Sequence, residues 1–239
     1  MTIFPSVWIA TALAVVLAVP LVMSVVTLPP MPKQVSRLPG AVEDVARAAA
    51  LERYKIELVR RFAGAGRLIE VGPGRGNFCY LAREAGFEVM AIEGSPACRR
   101  FLGEVLGVTV AGDEDEHRAL ESLPSADVIA LWHVLEHLAD PWRFLALAAS
   151  RLKAGGVLVV ATPNPECFQF RVFGARWAPL AAPRHLNLLP AHLLARTLAA
   201  ERLEPLLVTT TDPGSLGWNR FGWAFSCANF FAGVGGRGV

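Results

Sequence analysis

The 239-residue sequence predicts a doubly wound α/β domain with a mostly parallel sheet, preceded by one apolar helix able to cross a membrane. Three observations carry this. Short apolar runs alternate with amphipathic stretches through the middle of the chain. The first of those runs leads straight into a glycine-rich turn, Gly72-Pro-Gly-Arg-Gly76. An uncharged N-terminal stretch is set off from the rest by a cluster of prolines.

From Met1 to Met31 no side chain is charged, and Ile3 to Leu28 is rich in Val, Ala, Leu and Ile. About 20 such residues suffice to span a bilayer. Residues 1–30 therefore read as a membrane anchor, and a cleaved leader is disfavoured because no Lys or Arg precedes the apolar run. Lys33 and Arg37 follow it, which places the remainder of the chain on the cytoplasmic side. Pro29, Pro30, Pro32 and Pro39 make residues 31–40 a linker that no helix crosses intact.

A helical pattern then runs from Ala41 to about Phe62, with Val42, Val45, Ala49, Leu51 and Tyr54 on one side. The predicted strands are Leu68–Val71, Glu88–Ile92, Val108–Val110, Val128–Trp132 and Val157–Ala161. Helices are expected at Asn77–Ala85, Pro96–Leu106 and Pro141–Leu152, with a further helix at Pro190–Glu201 and a strand at Pro205–Thr210. Strands separated by helices pair in parallel through right-handed crossovers. Residues 41–212 thus form the domain. Residues 213–239 read as an aromatic apolar tail, either interfacial to a membrane or cut short, and its Gly-rich ending suggests that the chain is a fragment.

A net charge of +2 gives no case for nucleic-acid binding. The four cysteines have no paired spacing, so neither a disulfide framework nor a zinc ribbon is expected.

Glycines at 72, 74 and 76 allow a tight turn that a ligand can approach closely, and the helix opening at Asn77 presents free N–H groups. Dinucleotide-binding folds use the same device, so a nicotinamide-dependent oxidoreductase is a rival reading. Two details oppose it: Asn77 stands where the third glycine of the dinucleotide pattern belongs, and Glu70 precedes the turn. The second strand ends at Glu93, and the fourth runs Val-Ile-Ala-Leu-Trp132 into His133-Val-Leu-Glu136-His137.

The acid followed by Gly-x-Gly-x-Gly resembles the first signature of class I S-adenosylmethionine-dependent methyltransferases. The text HVLEHL-x-DP from His133 to Pro141 resembles a subgroup related to the ubiquinone-pathway O-methyltransferases. The resemblance extends from about Leu68 to Leu207 and implies S-adenosyl-L-methionine as cofactor. By that likeness the cofactor lies across Glu70, Gly72, Gly74, Gly76, Glu93, Trp132 and His133. The residue matched to Glu93 holds the ribose hydroxyls in that family. The acceptor is expected to be a small-molecule, sugar or lipid-linked hydroxyl under a cover built from residues 163–188, with Trp177 and His185 facing it.

His137 is the candidate general base, with Glu136 as its partner or as a base itself, because imidazole titrates near working pH. His133, Glu136 and His137 also spell the H-x-x-E-H of a zinc peptidase class, but there both His lie on one helix. Some relatives with E-x-x-E-H at this place bind magnesium. Here His133 replaces the first acid, which weakens the case for that oxygen-seeking ion. No metal is expected; a metal alternative would use His133, Glu136, His137 and His185. A final rival is a membrane-anchored binding module with an inactive site, raised by the lack of an antiparallel last strand after Thr210.

Overall fold

The computed structural model describes residues 12–17, 40–113 and 115–235. In chain order these form β1 (Ala12–Leu17), α1 (Val42–Ala49), α2 (Arg53–Arg60), β2 (Gly66–Val71), α3 (Asn77–Glu84), β3 (Phe87–Ile92) and α4 (Pro96–Glu104). Then follow β4 (Thr109–Ala111), α5 (Glu116–Ser122), β5 (Ala126–Trp132), α6 (Pro141–Arg151) and β6 (Leu152–Ala161). The last elements are α7 (Phe168–Phe173), α8 (Ala191–Ala200), β7 (Leu203–Thr209) and α9 (Pro213–Gly235). The seven strands form one sheet in the order β4-β3-β2-β5-β6-β1-β7, and among the described residues all of their pairings are parallel.

The central strands β2 and β5 and the second half of β6 are buried on both faces, which is why they read as apolar runs rather than as alternations. The period of two still sorts their side chains. Leu68, Val128, Ala130, Trp132, Val157 and Val159 pack with α1–α4, through Val45, Val59, Phe78 and Leu102 among others. Ile69, Ile129, Leu131, Leu158 and Val160 face the other way, onto Leu120, Phe144, Leu145, Leu194 and Leu198 of α5, α6 and α8. Several helices start where their sequence says they should. Ser95 caps α4 by accepting from the Cys98 amide, Asp140 caps α6 by accepting from that of Arg143, and both caps are followed by proline.

Three expectations change. The predicted membrane helix over residues 1–30 meets the structure only at Ala12–Leu17, and there the chain is β1, parallel to β6 and β7. An apolar run without a helical or alternating period suits a buried parallel strand as well as a spanning helix, and Val15 and Val16 favour the strand. The other residues of that segment, and the linker 31–39, lie outside the described residues. No described helix is long and apolar enough to cross a membrane. Second, the place beside β6 is filled by β1, a strand that was not expected, while the expected lack of an antiparallel strand holds among the described residues.

Third, within the aromatic apolar tail residues 213–235 form a helix that packs on α7 and the segment after it. Ser226 accepts from the amide of Ala178 at 2.8 Å. Gln169 of α7, buried, donates to the carbonyl of Asn219 at 2.8 Å and also to its side chain. Its Oε1 accepts from the Trp177 indole at 3.0 Å. Gly222 lies where any Cβ would strike the Gln169 amide, so a glycine in mid-helix allows the close approach.

Gln169→Leu strands two buried polar partners and should lower stability by about 1–3 kcal/mol, an unpaired buried donor being the dominant cost. Chemical denaturation checks this. Unchanged stability would mean that α7 and α9 are not held by this network.

Candidate functional site

The three loop glycines serve separate purposes. Gly72 has φ +65°, and a Cβ there would come within 2.7 Å of Val134. Gly76, φ +77°, caps α3, and a Cβ would strike Leu106 and Leu102 at 2.5 and 2.6 Å. Gly74 also has a positive φ, but nothing lies within 4 Å of its added Cβ, and the same holds at Gly94. The open side of the loop therefore lies at Gly74. Glu93 ties this loop to the next: its two carboxylate oxygens accept from the amides of Gly74 at 3.0 Å and Ser95 at 2.8 Å. Each oxygen keeps lone pairs for a further donor. An open glycine loop flanked by an acid for hydroxyl groups fits the adenosine portion of S-adenosylmethionine.

Glu70 lies beneath the loop and is 4% exposed. It shares a sheet face with Leu68, so it meets α3, where the Cys79 thiol donates to its Oε2 at 3.0 Å. Burial pushes the Glu70 carboxyl up to about 7, against the lowering influence of Cys79 and of Lys55. Burial likewise pushes the Cys79 thiol up, which keeps it a donor. Trp132, at the end of β5 on the same face, is buried edge-on to Phe78. Its Nε1 has no hydrogen-bond partner among the described residues.

The other half of the site is built on residues 133–137. His133 ends β5 in the left-handed region, φ 57°, held by its amide on the Ala161 carbonyl at 2.8 Å. Its ring packs on Trp218 of α9, and Nδ1 lies 3.7 Å from Glu136. Among the expected cofactor residues, His133 is thus the one grouped with the cover. Glu136 is 1% exposed and accepts from the Thr162 hydroxyl at 3.1 Å. Burial alone would push its carboxyl up, but His133 and, more weakly, His185 outweigh this and hold it below the usual carboxylate range.

The main chain of Glu136 matters as much. Its carbonyl accepts from the amides of Leu186 and Asn187 at 2.8 and 3.1 Å, which zips residues 184–187 onto this turn. His185 therefore meets His137, their ring centroids 4.7 Å apart. Each imidazole donates Nδ1–H to a carbonyl, His137 to Arg184 at 2.9 Å and His185 to Pro179 at 2.6 Å. A carbonyl can only accept, so both rings carry their neutral-state proton on Nδ1 and present Nε2 as a base. Burial, with the charges of His137 and Arg184, holds His185 below the usual imidazole value despite Pro179 and Glu136.

Trp177 is placed otherwise than expected. It is 1% exposed at the centre of a small core with Cys167 and Phe173, so it holds the cover together instead of facing an acceptor. A buried indole must satisfy its N–H, and Gln169 does so. Of the four residues in the metal alternative, Glu136, His137 and His185 offer ligand atoms within 4.8 Å of one another. His133 is not part of that set. Sequence reasoning missed Thr162, Trp218 and the pair Glu52 and Lys55 of the helical cover; the helical period of residues 41–62 showed a buried face but not what its charged side approached.

Residues 44–205 match the methyltransferase domain family. The chain belongs to that family. It is a methyltransferase domain of the S-adenosylmethionine-dependent kind, which removes the nicotinamide alternative. A ubiquinone biosynthesis O-methyltransferase of Ruegeria sp. (strain TM1040) is 31% identical over 131 residues, 49% of this chain and 51% of that protein. The same-named protein of Ruegeria pomeroyi is 28% identical over 183 residues, 71% of this chain and 70% of its own. The match thus spans about half of the first relative's length. Among solved structures, a SAM-dependent methyltransferase from Archaeoglobus fulgidus aligns with a TM-score of 0.54 at 24% identity, over 67% of this chain and 72% of that one. At that identity the likeness establishes the fold.

The Glu70 carboxyl makes a pH prediction for the cofactor-free domain. Its folded-state value, about 7, lies above the ordinary 4.5, so the folded state binds the proton more tightly than the unfolded chain. The resulting stability is complete below about pH 4.5 and is lost as pH rises through 7, on the order of 3 kcal/mol in all. Glu70→Gln should remove that decline relative to the parent between pH 5 and 8. Parallel stability curves for parent and variant would refute it.

Proposed function

We propose that the chain moves a methyl group from S-adenosylmethionine to a hydroxyl oxygen of a small or lipid-linked acceptor, with His137 receiving the hydroxyl proton. The observation that carries this is the Nδ1–H of His137 fixed on the Arg184 carbonyl, which leaves Nε2 free as a base. Glu136, ionised below the pair, favours the imidazolium that results. When bound, the cofactor supplies a sulfonium-activated methyl group for in-line displacement. The glycine loop and Glu93 position that donor, and the turn at 133–137 positions the acceptor oxygen. The O-methyltransferase names of the relatives support oxygen as the atom modified.

A second reading is favoured by the clustering of Glu136, His137 and His185 ligand atoms within 4.8 Å. One carboxylate and two imidazoles would suit a zinc- or manganese-like ion, which would polarise the acceptor hydroxyl. The two readings part under a chelator.

Turnover of catechol-like and polyprenyl-phenol acceptors, followed by mass spectrometry, tests the proposal. His137→Ala should lower kcat by about 10²–10⁴, the range of a positioned base, with little change in cofactor affinity. An undiminished kcat would sink the base assignment. Loss of parent activity in EDTA, restored by one divalent ion, would replace it with the metal reading.

Membrane attachment is part of the same proposal. It is supported by the exposed apolar side chains Phe168, Val172, Trp218 and Phe231 of α7 and α9. The full chain should co-sediment with phospholipid vesicles, and Phe168→Ser combined with Phe231→Ser should weaken this at least tenfold. Equal sedimentation of parent and variant would show that this face does not carry the attachment, and no sedimentation of the parent would exclude it.

A further inference from the structure

One charged group beside Trp132 takes no part in the proposed transfer of methyl group or proton. Lys55 of α2 has its side chain only 13% exposed and holds its ammonium 5.2 Å from the centroid of the Trp132 ring. Its Nζ lies 2.5 Å from Glu52 Oε2. The other oxygen of Glu52 accepts from the Asn77 side chain at 2.8 Å, and Asn77 is the first residue after the glycine turn. A cation and an anion are therefore held side by side, mostly out of water, at the edge of the loop. Long charged side chains are rarely withdrawn from solvent without a purpose that offsets the desolvation.

Sheet order says what could lie there. Glu93 sits past the end of β3, the glycine loop past β2, and Trp132 at the end of β5, and these strands are adjacent in that order. A ligand with its ribose hydroxyls at Glu93 that crosses the loop has its far end over Trp132 and Lys55. The far end of S-adenosylmethionine is an α-amino acid, a carboxylate and an ammonium on one carbon. Two features at that end match it: an adjacent Lys–Glu pair of opposite sign, and the unpartnered Trp132 N–H, which offers a donor to an anion.

We propose that Lys55 and Glu52, with Trp132 between them and the sheet, form the receptor for the amino-acid end of the cofactor, Lys55 taking the carboxylate and Glu52 the ammonium. Asn77 orients Glu52 and couples the receptor to the loop. The pair also explains a local cost, since Glu70 beneath it is an acid that an ammonium alone would not keep neutral; Glu52 offsets the influence of Lys55 on it.

The test compares two ligands on the full chain by calorimetry. S-adenosylhomocysteine carries the amino-acid end; 5′-methylthioadenosine has the same adenosine and thioether without it. Lys55→Met should weaken S-adenosylhomocysteine roughly tenfold or more, as expected for a lost bond to a charged group, and leave methylthioadenosine within about twofold. Lys55→Arg should recover most of the difference, and Glu52→Gln should show the same selectivity in smaller degree. Retained methylthioadenosine binding reports that the variant is folded. If both ligands weaken by the same factor, Lys55 merely holds the cover and the proposal fails; it fails equally if neither ligand responds. A parent chain that binds neither ligand would overturn the cofactor assignment itself, and this inference with it.

Discussion

An ionised carboxylate shut away from water sets the arrangement of the acceptor half. Glu136 is sealed at the end of the central strand, where an unpaired charge would cost several kcal/mol. The surroundings answer that demand from three directions. His133 and, more weakly, His185 favour the ionised carboxylate, and Thr162 at the end of β6 donates its hydroxyl, while the residue's own carbonyl accepts from the Leu186 and Asn187 amides. The last of these brings the segment after the cover back to the strand ends, and with it His185 to His137. Those two amides, the Asn187 side chain on the Leu138 carbonyl and His137 on the Arg184 carbonyl hold residues 184–187 there.

The donor half obeys a different constraint, that of backbone geometry. The chain must leave β2, turn, and start α3 within five residues while leaving one face clear. Three positive-φ glycines make this possible, and only Gly74 is open on its Cβ side. Glu93 then fixes the loop against the neighbouring one. The cleft is thus shaped by hydrogen bonds on one side and by buried charge on the other.

Much of this was legible in the chain. The strands from β2 to β6 were marked by unbroken apolar runs, and α4 and α6 by an Ser-Pro or Asp-Pro start, so their positions needed no tertiary knowledge. Glu70, Glu93 and the 133–137 turn were found because they sit at strand ends, where α/β sheets place their chemistry. Three features were not legible. The apolar run around Val15 has no period to separate strand from spanning helix. The role of Trp177 depends on Gln169 and Asn219, which are 8 and 50 residues from the partners they satisfy. α9 carries glycines at 214, 217 and 222, poor helix formers that close packing against Tyr54 and Gln169 requires at two of those positions.

The contact between Gly72 and Val134 joins the two halves. Val134 sits between the end of β5 and the Glu136 turn, and its methyl group fills the space that a side chain at residue 72 would need. Methyl transfer depends steeply on the separation between the atom that gives and the atom that receives. At this point the two walls of the cleft are in contact range, with no room for a side chain between residue 72 and Val134. A side chain at residue 72 would act as a shim between the glycine loop and the 133–137 turn, and at φ +65° it would strain the loop as well.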